Sequence, residues 1–139
     1  MRAYIVEDSK LVRDRLVLLL EEIDGLEIVG QSGSIKAATE NIFRLQPDVL
    51  LIDIRLPDGS GLDILAKIQA CGLKIIPIVM TLDPYPEHRK LAMERGAVKF
   101  FDKTKELWKI PVALVQMIAE QQAEKKRETF SAQDELSMS

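Results

Sequence analysis

Four apolar residues in a row, Val49-Leu50-Leu51-Ile52, end in a single carboxylate, Asp53. A strand with one wet face alternates apolar and polar side chains. A continuous run is expected where helices cover both faces of a parallel sheet. The rest of the chain repeats the theme. Tyr4-Ile5-Val6 closes on Glu7-Asp8, and Leu26–Gly30, Ile78-Val79-Met80 and Val98–Phe101 supply three more short strands. Between them the apolar spacing changes to that of helices: Val12, Leu16, Leu19 and Ile23, then Ile35, Ala38, Ile42 and Leu45, then Leu62, Leu65 and Ile68. Ser34 and Ser60 stand where N-caps are needed, with Asp63 completing a capping-box pattern. Pro47 ends the second helix, and Pro86 and Gly96 bracket the fourth. That fourth helix has few apolar positions, mainly Leu91, Ala92 and Met93, and is expected to pack loosely. A last helix, from about Ile110 to Arg127, turns Leu114, Met117 and Ile118 to the core.

Five strands alternating with five helices give an α/β fold, a doubly wound five-stranded parallel sheet with right-handed crossovers. The 139 residues suit one domain, spanning 1–127, with 128–139 a polar tail expected to fray. A net charge of -3 gives no electrostatic reason to bind nucleic acid or anionic lipid. One cysteine, Cys71, excludes an intrachain disulfide, and one histidine, His88, argues against a histidine-rich metal site or a Ser-His-Asp triad. No segment reads as a membrane span or a signal peptide, so the expected location is the cytoplasm. Cys71 at a helix end, His88 on a helix surface and the basic Lys125-Lys126-Arg127 near a helix C-terminus need no special role.

In open parallel sheets, sites form beyond the carboxyl ends of the strands, where strand order reverses. The residues following the strands there are Glu7 and Asp8, Asp53, Thr81 and, two beyond Phe101, Lys103. Three carboxylates so placed repel one another unless a cation intervenes, and a hard divalent ion such as Mg2+ fits oxygen donors. Singly, each residue has an ordinary explanation. Asp53 opens a loop, Glu7 and Asp8 favour a helix N-terminus, Thr81 ends a strand, and Lys103 is solvated.

Together, Ile5-Val6-Glu7-Asp8-Ser9, Asp53-Ile54-Arg55-Leu56-Pro57-Asp58-Gly59-Ser60-Gly61, Met80-Thr81 and Phe100-Phe101-Asp102-Lys103 resemble the response-regulator receiver domains, over roughly residues 1–125. The resemblance implies a flavodoxin-like strand order, 2-1-3-4-5. It implies that Asp53 is the phosphoacceptor, taking a phosphoryl group from a sensor histidine kinase or phosphotransfer protein. Mg2+ would be held by Asp8, Asp53 and the Arg55 backbone carbonyl, with Glu7 acting through a water. Lys103 and Thr81 would contact the phosphoryl group, and Phe100 would rotate behind Thr81. The partners so implied are that kinase and a downstream protein, with a homodimer through the fourth helix, fifth strand and fifth helix open to it.

This sequence departs from the usual pattern in three places. Leu82 is bulky where a small residue is common, and should narrow access to the site. Arg55 and Asp83, two residues beyond the acceptor and the threonine, are placed to pair across its mouth. Thr104 follows Lys103 where many relatives have proline. A stand-alone receiver acting by protein contact is the leading expectation, not a turnover enzyme. The alternative is the receiver part of a DNA-binding transcriptional regulator whose output domain lies outside this chain. An aspartyl-nucleophile phosphatase wants a second carboxylate where Arg55 stands, and a receiver that no longer takes phosphate would not need the full set of residues.

Overall fold

The Val49–Asp53 strand, β3, lies at the centre of a five-stranded sheet with every residue buried. The computed structural model describes residues 1–138. β1 (Arg2–Val6) pairs with β3 in parallel, Tyr4 opposite Leu50 and Val6 opposite Ile52. β2 (Glu27–Ser32) lies outside β1. A two-residue pair, β4 (Arg55–Leu56) and β5 (Gly59–Ser60), forms a separate antiparallel hairpin just after β3. β6 (Ile76–Thr81) and β7 (Lys99–Asp102) complete the sheet on the other side of β3. The order β2-β1-β3-β6-β7 is the 2-1-3-4-5 arrangement of the five main strands. It reverses direction between β1 and β3, which brings the ends of those two strands, with Glu7, Asp8 and Asp53, to one crevice.

Among the described residues five helices cover the sheet: α1 (Lys10–Glu21), α2 (Ile35–Leu45), α3 (Gly61–Ala70), α4 (Pro86–Glu94) and α5 (Lys109–Met138). Alternation along the strands divides the core into two layers. Tyr4, Val6, Leu50, Ile52, Val79 and Phe100 face α2, α3 and α4, where Ile42, Leu65, Ile68 and Ala92 are buried. Ala3, Ile5, Val49, Leu51, Ile78, Met80 and Phe101 face α1 and α5, meeting Leu16, Leu20, Ile110 and Leu114. Both layers are apolar, which is why β3 reads as a continuous run.

The caps follow the sequence closely. Ser34 Oγ accepts from Ala37 N, and Gln46, in the left-handed conformation at φ 45°, ends α2 before Pro47. Ser60 caps α3, but its Oγ accepts from Leu62 N and not from Asp63 N, and the Asp63 carboxylate faces Arg95 at 3.7 Å, so Ser60 is a simple N-cap and not half of a capping box. Ser9, unforeseen as a cap, accepts from Val12 N at the start of α1.

Two expectations need correction. In α1 the buried pair is Leu16 and Leu20, while Leu19 is 39% exposed. Leu18, Leu19 and Leu20 are consecutive, so periodicity alone could not choose among them. The last helix does not end near Arg127. It runs on to Met138, so the tail expected to fray is helical as far as the described residues go, Ser139 lying outside them. Residues 128–138 hold no glycine or proline, and Glu, Gln, Ala, Leu and Met among them are good helix formers. Thr129 Oγ1 also donates back to the Lys125 carbonyl at 2.9 Å.

One close approach ties the fold to the site. Gly61 opens α3, and its N–H donates to the Ile54 carbonyl at 2.7 Å. A Cβ there would collide with the backbone carbonyl of Asp53. Gly61→Ala is therefore expected to lower unfolding free energy by about 1–3 kcal/mol, as overpacking against backbone does. Urea denaturation checks this, and an unchanged midpoint would mean that the β3–α3 connection yields freely.

Candidate functional site

The acid pair Glu7-Asp8 follows β1 directly, and the Glu7 N–H donates to the Ser32 carbonyl at 2.9 Å, so the pair is held at the carboxyl edge of the sheet. Glu7 is nonetheless wholly buried and Asp53 is 4% exposed, whereas Asp8 faces solvent. Lys103, from the turn after β7, reaches between the two buried carboxylates. Its Nζ donates to Glu7 Oε2 and to Asp53 Oδ2, each at 2.7 Å, and its side chain is itself 5% exposed. The Lys103 backbone N–H donates to the Thr81 carbonyl at 2.9 Å, which continues the β6–β7 pairing beyond the sheet and fixes where the side chain starts.

The remaining carboxylate oxygens take backbone donors. Asp53 Oδ1 accepts from Arg55 N at 3.2 Å, and Glu7 Oε1 accepts from Ser9 N at 3.2 Å. Burial pushes the Glu7 carboxyl above its ordinary pKa, the opposing pull of Lys103 being too small to cancel it and the charge of Asp53 adding to it. Burial by itself would lower the Lys103 ammonium. The hydrogen bonds and charges of Asp53 and Glu7 more than reverse that and hold it above its ordinary value.

Glu7, Asp8 and Asp53 each offer a carboxylate oxygen within 4.8 Å of the other two. Three carboxylates face one ammonium, the donors are all oxygen, and Asp8 leaves one side open to solvent. That set suits a hard divalent cation such as Mg2+. The same residues line a cavity of about 370 Å3 together with Arg15, Arg55, Leu82 and Lys103.

Thr81 ends β6 beside this group and is 1% exposed. Its Oγ1 accepts from Asp83 N at 3.1 Å. Asp83 then reaches over the mouth of the crevice, where its Oδ2 meets Arg55 Nε at 2.9 Å. The contact foreseen between these two is present. Leu82 beside it is 61% exposed and is one of the residues lining the cavity. Phe100, 6% exposed, lies in the α4 side of the core, with the Arg89 guanidinium 5.6 Å from its ring centroid.

A family model, that of the response regulator receiver domain, matches residues 3–129. The chain belongs to this family. Receivers of this kind serve two-component signalling, with histidine kinases and output proteins as partners. The chain is 31% identical over 106 residues to the response regulator GacA of Pseudomonas viridiflava, covering 74% of this chain and 48% of that protein. It is 37% identical over 108 residues to a protein-glutamate methylesterase/protein-glutamine glutaminase of Anaeromyxobacter dehalogenans, covering 74% of this chain and 29% of that protein. It thus spans half or less of these relatives' lengths. Among solved structures, the receiver domain of a NarL response regulator from Mycobacterium tuberculosis superposes with a TM-score of 0.77 at 25% identity, covering 85% of this chain and 95% of that one. Among the described residues, no helix of this receiver is long and apolar enough to cross a membrane.

Of the residues singled out from the receiver sequence, Glu7, Asp8, Asp53, Arg55, Leu82 and Lys103 line this cavity, Thr81 and Asp83 stand beside it, and Phe100 lies within β7 in the core. Two residues were missed. Arg13, one turn into α1, donates from Nη1 to the Glu7 carbonyl at 2.6 Å and braces the backbone of the acid pair. Asp58, given no role of its own in the sequence, accepts from Ile35 N and Lys36 N at the start of α2. Neither leaves a local signal, because each partner is fixed by how separate elements pack.

The direction of the Glu7 shift has a measurable consequence. A carboxyl whose pKa is raised by folding contributes stability only while protonated, and loses it as pH rises through the folded-state value. Glu7→Gln removes that buried charge and leaves Lys103 paired with Asp53. The variant is expected to melt at a higher temperature than the wild type at pH 7, with the gap closing as pH falls into the carboxylate range. Thermal melts across pH test this; a variant less stable at pH 7 would show that the Lys103 bond to Glu7 outweighs the cost of burial.

Proposed function

We propose that this receiver is a phosphorylation switch whose aspartyl phosphate forms on Asp53. The observation that carries the reading is Lys103 bridging Glu7 and Asp53 at 2.7 Å beside an all-oxygen acidic cluster. An Asp53 carboxylate oxygen attacks the phosphorus of a phosphohistidine on a sensor kinase or phosphotransfer protein. The new P–O bond forms as the P–N bond breaks, and the imidazole leaves with its electron pair. Lys103 holds a positive charge where the transferred oxygens gather. Asp8, Asp53 and the Arg55 backbone carbonyl would hold Mg2+, with Glu7 contributing through a water. When bound, the ion neutralises charge on the phosphoryl oxygens.

Thr81 would exchange its bond from Asp83 N for the phosphoryl group, with Phe100 packed behind it. The Asp83 backbone also accepts from Tyr85 N at 2.8 Å and meets His88 Nδ1 at 3.3 Å, so a move of the Thr81 loop is passed to α4. The readout is then a changed surface over α4, β7 and α5, offered to a downstream protein or to a second copy. Arg55, Asp83 and Leu82 would modulate access of water. A second reading is the receiver part of a longer regulator with a DNA-binding output domain. It is favoured by the relatives' greater length and by α5 continuing as one helix to Met138. A longer native reading frame separates the two.

Incubation with MgCl2 and a small phosphoryl donor is expected to add one phosphoryl group by intact mass, and Asp53→Ala or a chelator to abolish the gain. No adduct on the wild type after rapid acid quenching, and no binding of beryllofluoride, would reject the switch. Opening the rim should speed loss of the phosphoryl group, so Leu82→Ala is expected to shorten the acyl-phosphate lifetime. Mass-resolved decay measures this, and an unchanged lifetime removes Leu82 from the role.

A further inference from the structure

The β3–α3 connection places Arg55 against Asp53: its N–H donates to Asp53 Oδ1, and its carbonyl is the proposed third protein ligand for Mg2+. At the near end this connection is fixed by Gly61 N on the Ile54 carbonyl. At the far end, the tip of the β4–β5 hairpin, it is fixed by Asp58. Oδ1 accepts from Ile35 N at 2.8 Å and Oδ2 from Lys36 N at 3.1 Å, so one carboxylate grips the first turn of α2 with both oxygens. The seat is close. Gly59 has φ +147°, and the Ile35 Cδ1 lies 2.8 Å from where a Cβ would stand.

α2 has a cap of its own. Ser34 Oγ takes Ala37 N at 3.3 Å, and the Ser34 carbonyl takes Ala38 N at 3.1 Å. The Asp58 contact therefore does more than finish a helix: it fastens the loop that carries Arg55 to α2, which packs in the same core layer as α3. The two backbone donors also hold the Asp58 carboxyl below its ordinary pKa, so the grip is that of a charged group on a helix N-terminus.

We propose that Asp58 is a positioning residue for the phosphorylation site, anchoring the β4–β5 hairpin on α2 so that the Arg55 backbone stays in register with Asp53. This rests on the magnesium-dependent reading above. It differs from a plain stabilising role because the quantity at stake is the geometry of the Arg55 backbone. Outer groups that orient ligands typically govern metal affinity by tenfold or more.

The test is a MgCl2 titration of the whole chain, followed by the backbone amide NMR shifts of Asp8 and Arg55 well below the melting temperature. Asp58→Ala is expected to weaken magnesium binding by about tenfold. Asp58→Asn, which keeps the size and one acceptor, should recover part of the loss, and it carries the comparison if the alanine variant fails to fold. Ser34→Ala serves as the control. It removes the local cap of the same helix, and should lower the melting temperature while leaving magnesium affinity as in the wild type. Equal affinity in wild type and Asp58→Ala overturns the proposal, as does an equal loss in Ser34→Ala. A wild type whose Asp8 and Arg55 amides do not respond to MgCl2 instead overturns the magnesium reading on which it rests.

Discussion

Lys103 stands between two carboxylates that the fold has taken out of water, and the geometry of the whole strand-end crevice follows from that contact. Loss of Lys103 would leave both carboxylates buried without a partner, the situation in which breaking a buried ion pair costs about 3–5 kcal/mol, whereas loss of Glu7 leaves Lys103 still paired with Asp53. Here a single ammonium serves Glu7 and Asp53 at equal distance, with Asp8 at the open side. The balance of charge is negative. The site is held together, yet these four groups retain an attraction for a further cation, and Asp53, though 4% exposed, still lines the cavity.

Around this pair the supports come from backbone. Arg13 holds the Glu7 carbonyl, Arg55 N holds Asp53 Oδ1, and the Lys103 N–H is itself tied to Thr81. The ends of β1, β3, β6 and β7 are thereby joined beyond the sheet by hydrogen bonds that do not depend on the core. Asp83 is where the two sides of the crevice meet: it touches Arg55 from the acceptor loop, Thr81 from β6, and Tyr85 and His88 at the start of α4. A new charge on Asp53 acts on a small closed circuit of this kind before it reaches any surface. α4, with Ala92 as its one fully buried side chain, is held by fewer buried side chains than α1, α2 or α3 and so is freer than they are to respond.

Much of this was legible beforehand, for reasons that differ from residue to residue. The continuous apolar run ending in Asp53 implied a strand covered on both faces, and the chain order of the strands implied where their ends would meet. Glu7, Asp8, Thr81 and Lys103 could be named because each directly follows a strand, or nearly so. The pairing of Arg55 with Asp83 was foreseen from their matching offsets. The choice of Leu20 over Leu19 was not legible, since consecutive leucines carry no phase. Nor was the length of α5, because a polar stretch without breakers reads equally as a frayed end or as a solvated helix.

The amino-acid sequence by itself determined the order of elements, the parallel sheet and the residue types at its carboxyl edge, because hydrophobic period and strand-end position are local properties of the chain. Tertiary structure alone decided which oxygen meets which donor. Lys103 divides itself between Glu7 and Asp53, Arg13 reaches a carbonyl, and Asp58 grips a helix that begins 23 residues earlier. The Lys103 and Asp58 contacts join elements far apart in the chain, and even the Arg13 bond, across six residues, depends on how α1 is set against the end of β1, which is fixed only when both faces of the sheet are packed.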